Sequence, residues 1–458
     1  MERMVVIGGD AGGMSAAAQA RRMRPLDELE IVAFERGPRT SYAACGLPYL
    51  LSGDVATPES LVARSPEKFR MSGIDARVHH EVLAIDSTRR AVLVRELVDG
   101  KERWEPFDHL VVGTGSLPVR PPLPGIDAAG VHDLRTIDDA LAIEETVGHG
   151  RRAVVVGGGY IGIEVAEAMI ARGMQVSLVE ALPQVMASLS PDMAVPIAEA
   201  MEKAGVTLHL GEPVEGFESG ADGRVRAVVT AEQTLEADVV VLGLGAKPNI
   251  ALAREAGLAI GPSGGIAVDD RMETSVESVW AAGDVVQSHH RVSGRPVVIA
   301  LGTHANKQGR VVGTNIAGGD ARFGGVLGTA ITKFQDLEIA RTGLTEAEAE
   351  IAGFDWVELT AEARTRAHYY QGGSPITVRL VGERGTGRLL GGQIVGGPGA
   401  GKRIDVVATA LWAGMTVGDF AGMDLAYAPP FSPVWDPVLL AAGRLDRLVS
   451  AISGYPQG

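Results

Sequence analysis

Short apolar runs, each closed by a cluster of glycines, recur along the chain. The first is Met4-Val5-Val6-Ile7, followed by Gly8-Gly9-Asp10-Ala11-Gly12-Gly13 and then by the small residues Met14-Ser15-Ala16-Ala17-Ala18. A continuous apolar run of this length predicts a strand buried on both faces, and the small residues predict a helix lying close against it. Ile31-Val32-Ala33-Phe34 supplies the next strand. The same order returns at Ala153-Val154-Val155-Val156, Gly157-Gly158-Gly159-Tyr160-Ile161-Gly162 and Val176-Ser177-Leu178-Val179. Further strands are predicted over 80–86, 109–112 and 279–281. From Phe323 onward the pattern changes: strands over 376–381 and 389–395 precede an apolar helix from Arg403 to Gly414, the signature of an α+β unit.

The glycine clusters carry chemistry. A strand, a glycine turn and a helix let a pyrophosphate approach the backbone and sit on the helix N-terminus. An acidic residue ending the following strand accepts hydrogen bonds from ribose hydroxyls. Gly8, Gly12, Gly13 and Glu35 form the first such set, and Gly157, Gly159, Gly162 and Glu180 form the second. Asp10 stands where the first set calls for its middle glycine, and its carboxylate would repel a pyrophosphate unless it turns away. Glu180 favours a free 2′-hydroxyl, hence NADH, with NADPH left open. One glycine turn alone serves plain helix packing as well; two in register, each with its acidic residue, point to two Rossmann-like dinucleotide-binding domains.

Composition narrows the rest. The 458 residues are 46% hydrophobic with a net charge of −15, so several domains with ample cores are expected and a nucleic-acid partner is not. No apolar run is long enough to cross a membrane, and the chain opens directly into a strand. A cytoplasmic location is therefore expected, and no metal site is assigned.

Cys45 is the only cysteine. It cannot form an internal disulfide, so dithiol chemistry must borrow a second sulfur from a small molecule or stop at a sulfenic acid. The run Ser41-Tyr42-Ala43-Ala44-Cys45-Gly46-Leu47-Pro48-Tyr49 places it at a predicted helix start, where backbone N–H groups would lower its pKa. A lone cysteine is also, commonly, a small buried hydrophobe.

Two more segments complete the pattern: His109-Leu110-Val111-Val112-Gly113-Thr114-Gly115-Ser116 and Val279-Trp280-Ala281-Ala282-Gly283-Asp284-Val285. Together with the glycine turns and Cys45, they make the chain resemble the pyridine nucleotide-disulfide oxidoreductases along nearly its whole length. Within that family it resembles the single-cysteine branch, closest to the coenzyme A disulfide reductases, with NADH oxidases, peroxidases and persulfide reductases as relatives. The resemblance implies FAD held by the first set with Val82, Thr114, Gly115, Gly283 and Asp284, and NAD(P)H held by the second. It also implies an FAD domain over 1–118 and 246–322, an NAD(P)H domain inserted at 119–245, and a dimerisation domain over 323–458. A homodimer follows, with no rhodanese-like domain fused at the C-terminus.

The branch is read residue by residue. Peroxidases and oxidases of the family carry a histidine where this chain has Ala11. Tyr427, in Tyr427-Ala428-Pro429-Pro430-Phe431-Ser432, and either Tyr369 or Tyr370 match the tyrosines of the coenzyme A disulfide reductases; Tyr370 is favoured by its place before Gln371, where the family has proline. Ser15, Gln19, Arg22 and Ser41 match coenzyme A contacts, and His304 falls near another, whereas Ala44 replaces the usual asparagine. The implied reaction carries a hydride from NADH to FAD and an electron pair on to a mixed disulfide of Cys45, with Tyr427, assisted by Tyr370, protonating the departing thiolate. Coenzyme A disulfide, a persulfide or polysulfide, and O₂ all stay open as acceptor. An electron carrier of the ferredoxin-reductase kind and a non-catalytic redox sensor are the readings from other classes.

Overall fold

In a computed structural model, residues 1–148 and 150–453 are described. Two five-stranded parallel sheets dominate. The first orders its strands Asp75–Arg77, Leu29–Phe34, Glu2–Ile7, His109–Val112 and Val279–Ala281. The second repeats the design with Val206–Leu210, Gln175–Glu180, Arg152–Val156, Val239–Leu242 and Val131–Asp133. Met4, Val5 and Val6 are fully buried, as are Val154 and Val155 to within 1%, which is why both central strands read as unbroken apolar runs.

Each parallel sheet is accompanied by a three-stranded antiparallel sheet, His80–Asp86 with Ala91–Glu96 and Glu102–Pro106 in one case, Val214–Ser219 with Val225–Thr230 and Thr234–Glu236 in the other. The chain passes between the two units through Ser116–Pro118 and Ala246–Pro248, which pair antiparallel. A third body follows, an antiparallel sheet ordered Ala330–Phe334, Leu337–Gly343, Leu389–Gly396, Pro375–Glu383 and Trp356–Arg364. Helices Ile404–Ala413 and Pro437–Ser453 bury Val407, Leu411, Leu439 and Leu445 against it. This is the α/β architecture with an appended α+β unit that the residue pattern predicts.

Two packing details position the site. Helix Ala11–Met23 lies so close to helix Gly302–Ile316 that a Cβ on Gly309 would fall 2.3 Å from the Gly12 carbonyl oxygen, and one on Gly313 2.3 Å from that of Ala16. The short helix Leu47–Ser52 buries Leu47, Leu50 and Leu51 in the same apolar cluster as Ile163 and Met169 of the second unit and Phe334 of the third. Each of these leucines contributes about 1.5–3 kcal/mol by burial, and together they fix Cys45, two positions before the first of them, at a junction of all three bodies.

Candidate active site

The two glycine turns are built alike. Gly8 and Gly157 have φ of +104° and +105°, a region that favours glycine, and a Cβ on either would strike the carbonyl oxygen of Gly113 or Gly243 at 2.1 and 2.5 Å. Gly13 and Gly162 back directly onto the carbonyls of Gly8 and Gly157. The amide of Gly9 donates to Glu35 Oε2 at 2.7 Å, and that of Gly158 donates to Glu180 Oε2 at 2.7 Å. The helices that follow, Ala11–Met23 and Tyr160–Ala171, begin without a side-chain cap, so their first N–H groups stay available to a phosphate. These residues fit a dinucleotide at each turn.

Asp10 fits its position sterically. A Cβ at the equivalent Gly159 would meet nothing within 4 Å, and Asp10 is extended, with φ −113° and ψ −159°. The cost is electrostatic. Burial, assisted by Glu35 and Asp284 and opposed by Arg135, pushes the Asp10 carboxyl up to about 6.

Asp284 anchors the rear of the first site. Its carboxylate accepts from Ser116 Oγ at 2.9 Å and pairs with Arg135 at 3.2 Å. Gly283, φ +92°, donates its amide to Gln308 Oε1 at 2.8 Å. Thr114 Oγ1 donates to the Asn249 carbonyl at 2.8 Å and Gly115 accepts from the Asn249 amide at 2.9 Å. Val82 lies in the antiparallel sheet opposite Val94.

Cys45 lies in the 3₁₀ turn Ala44–Gly46 and is exposed. Its thiol does not follow the expectation of a lowered pKa. Desolvation on its protein side, then Glu164 and Asp284, raise it, and the nearby Arg135 only partly offsets them. The turn is three residues long and the helix after it six, too short for a strong N-terminal field, whereas the burial and the two carboxylates are brought to the thiol by the tertiary fold. Glu164 is held by Thr332 Oγ1 at 2.6 Å, and burial raises its own carboxyl. Beside it Lys333 pairs with Glu167 at 2.6 Å and lies 5.8 Å from the Tyr49 ring centre.

The remaining predicted residues fall into two groups. Ser15, Gln19 and Arg22 line one face of helix Ala11–Met23; Ser15 Oγ donates to Asn306 Oδ1 at 2.7 Å, Gln19 Nε2 to Thr314 Oγ1 at 3.1 Å, and the exposed Arg22 to Gln19 Oε1 at 2.6 Å. Ser41, with φ +46°, ties its amide to the Gly9 carbonyl at 2.8 Å. His304 opens the facing helix, and burial lowers its pKa. Tyr427, Tyr369 and Tyr370 stand exposed on the third body. Among the described residues no hydrogen bond joins any of them to Cys45 of the same chain, and it is Tyr369, not Tyr370, whose hydroxyl meets Tyr427, at 3.4 Å.

Sequence reasoning missed Arg135, Glu164, Asn306 and Gln308. Only Arg135 had a local signal, the capping box of Thr136 and Asp139 immediately after it; the others gain their partners through contacts distant in the chain.

Comparison with known proteins adds independent support. Residues 2–309 match the family model of the pyridine nucleotide-disulphide oxidoreductases, and residues 329–437 match that family's dimerisation domain. An NAD(P)H coenzyme A polysulfide/persulfide reductase of Pyrococcus horikoshii is 42% identical over 447 residues, covering 96% of this chain and 98% of the relative. An NADH oxidase of Methanocaldococcus jannaschii is 35% identical over 444 residues, covering 96% and 98%. The structure of an NAD-dependent persulfide reductase from A. fulgidus superposes with a TM-score of 0.94 at 39% identity, covering 98% of this chain and 84% of that one. Because the match runs through both glycine-turn units and on into the antiparallel sheet, it covers the architecture and not a single motif, and the chain belongs to the pyridine nucleotide-disulphide oxidoreductases.

Proposed function

We propose that the protein reduces a coenzyme A-linked disulfide or persulfide, or a related low-molecular-weight one, with electrons from NAD(P)H. The observation that carries this reading is the placement of the sole cysteine. Cys45 is exposed, and the helix that follows it packs Leu47, Leu50 and Leu51 with Ile163 and Met169 of the second glycine-turn unit and Phe334 of the third body, so the one thiol stands open at the junction of the units. The names of the Pyrococcus horikoshii and A. fulgidus relatives support the same substrate class.

In this reading residues 1–118 and 246–322 form the FAD unit, 119–245 the NAD(P)H unit, and the chain from 323 onward the dimerisation unit. When bound, FAD supplies the two-electron relay between nicotinamide and sulfur. The chain's residues do the rest. Gly8, Gly12, Gly13, Glu35, Val82, Thr114, Gly115, Gly283 and Asp284 hold FAD, and Gly157, Gly159, Gly162 and Glu180 hold NAD(P)H. Ser15, Gln19, Arg22, Ser41 and His304 bind the coenzyme A portion, Arg22 pairing with phosphate through its planar guanidinium. The Cys45 thiolate attacks one sulfur of the substrate; a Cys45–S bond forms, the substrate S–S bond breaks, and the leaving thiolate takes a proton from Tyr427, assisted by Tyr370, of a second copy. Two electrons and a proton from NAD(P)H then regenerate the Cys45 thiolate and release the second thiol or, from a persulfide, hydrogen sulfide, and a solvent proton restores the Tyr427 hydroxyl.

Cys45→Ser tests this. The expected result is a flavin still reduced by NADH with turnover of coenzyme A disulfide and persulfide abolished. Undiminished sulfur turnover would remove Cys45 from the mechanism, and vigorous oxygen uptake by the variant would favour an oxidase instead.

A further inference from the structure

The segment 181–190 joins the proposed NAD(P)H site to the antiparallel sheet of the third body. At its start, Glu180 accepts from the amides of Gly158 and Leu182 at 2.7 and 2.9 Å. In its middle, the Met186 amide donates to the Gly158 carbonyl at 2.7 Å. Val185 lies against Gly158 so closely that a Cβ there would be 3.2 Å from it. Val185, Met186 and Leu189 are buried to 3% exposure or less, and Met186 holds φ +49°, a conformation that a non-glycine residue keeps only where its surroundings impose it.

The far end supplies that imposition. Gln393, 1% exposed in strand Leu389–Gly396, accepts from the Ser190 amide at 2.8 Å and donates to Ser190 Oγ at 2.6 Å. Ser190 Oγ in turn donates to Glu346 at 2.6 Å, and Glu346 pairs with Arg379, which reaches Asp192 at 2.6 Å. Arg341, from strand Leu337–Gly343, donates to the Ser188 carbonyl at 2.6 Å. Every polar atom of the buried Gln393 amide group thus points at one loop residue. A contact made only for adhesion between bodies needs no such specificity, since Phe334, Ile339 and Val395 already provide apolar adhesion there.

We propose that Gln393 and Arg341 are positioning residues for NAD(P)H: they hold 181–190 from the dimerisation sheet and so fix the Gly158 turn and Glu180 in their nucleotide-binding geometry. The inference rests on the reading that the second glycine turn holds NAD(P)H. It makes nucleotide affinity depend on residues of the antiparallel sheet, outside the unit whose glycine turn would hold the nucleotide.

The test uses the FAD-loaded full-length protein with Gln393→Met, Ser190→Ala and Arg341→Met, the second variant keeping the backbone hydrogen bond as the milder change. NADH binding is measured directly by titration, with flavin content, dimer state and the Cys45 alkylation rate recorded beside it. The expected result is a Kd for NADH raised about tenfold in Gln393→Met and Arg341→Met and less in Ser190→Ala, with flavin reduction at saturating NADH unchanged. An unaltered Kd in variants that retain flavin and dimer overturns the inference. Should Gln393→Met not fold, Ser190→Ala and Arg341→Met decide by the same criterion. Failure of the parent protein itself to bind NADH, or unchanged binding after Glu180→Ala, would instead overturn the assignment of the second turn.

Discussion

The hydroxyls of Tyr369 and Tyr427 lie 3.4 Å apart, joining two segments 58 residues apart in the chain. The hydrogen bond between them, with the Tyr427 hydroxyl donating to Tyr369, is the main cause that pushes the Tyr427 phenol above its ordinary value. If Tyr427 is the proton donor to the leaving thiolate, Tyr427→Phe should lower kcat for disulfide turnover about 100-fold, the low end for loss of a general acid. Tyr369→Phe should keep most activity and, by removing the cause of the upward shift, move the alkaline fall of kcat to lower pH. Tyr370→Phe separates the two tyrosines: a loss there exceeding that of Tyr369→Phe would support Tyr370 as the assisting group, and a smaller one would pass that role to Tyr369. The pH profiles of the three variants check the assignment.

Glu164 gives a second prediction. It is the largest charged cause raising the Cys45 thiol, and Thr332 Oγ1 keeps it in place. Glu164→Gln removes the charge while preserving a hydrogen-bonding carbonyl. The Cys45 pKa should fall, so the midpoint of the iodoacetamide alkylation rate against pH should move down relative to the parent. A midpoint that stays put, or rises, would show that burial alone sets the thiol.

How far the sequence carries the structure is visible at these same residues. Met4 to Ile7 and Ala153 to Val156 read as buried strands because both faces are covered, and Gly8 and Gly157 read as turns because only glycine fits their positive φ against a facing carbonyl. Glu35 and Glu180 were placed by their distance from those turns. Asn306 and Gln308 were illegible: one meets Ser15 across 291 residues, the other meets Gly283 across 25, and no local period encodes such a pair. The Cys45 thiol was misjudged for a related reason. Its helix start is a local signal worth a few tenths of a kcal/mol to about 1, whereas burial, then Glu164 and Asp284, act on it only through the tertiary fold.

Asp10 predicts a pH dependence. Its carboxyl is raised to about 6 by burial first, so the fold prefers it protonated. Stability from this group is therefore full below the unfolded carboxylate pKa near 3.8 and is lost as pH rises toward about 6. Asp10→Asn should be more stable than the parent above pH 6, with the gap narrowing below it. On the proposal that the first glycine turn holds the FAD pyrophosphate, the same charge repels it, so the variant should also retain FAD better at pH 8 than the parent, by an advantage that shrinks at pH 5.5. Melting temperature of the apoprotein and FAD retention on gel filtration measure the two effects separately.

The contact between helices Ala11–Met23 and Gly302–Ile316 makes the last prediction. A Cβ on Gly313 would fall 2.3 Å from the Ala16 carbonyl oxygen, and one on Gly309 2.3 Å from that of Gly12. Both obstacles are backbone, so the helices must part, and each alanine should destabilise the protein by about 1–3 kcal/mol. The functional consequences should differ. Gly12 belongs to the first glycine turn, so Gly309→Ala should weaken FAD retention, whereas Gly313→Ala acts one turn further along, beside Gln19 and its 3.1 Å hydrogen bond to Thr314. Gly313→Ala should therefore raise KM for coenzyme A disulfide while leaving flavin content near that of the parent. Flavin absorbance per protein and KM, measured on both variants, distinguish this from a general loosening, which would lower flavin content in both alike.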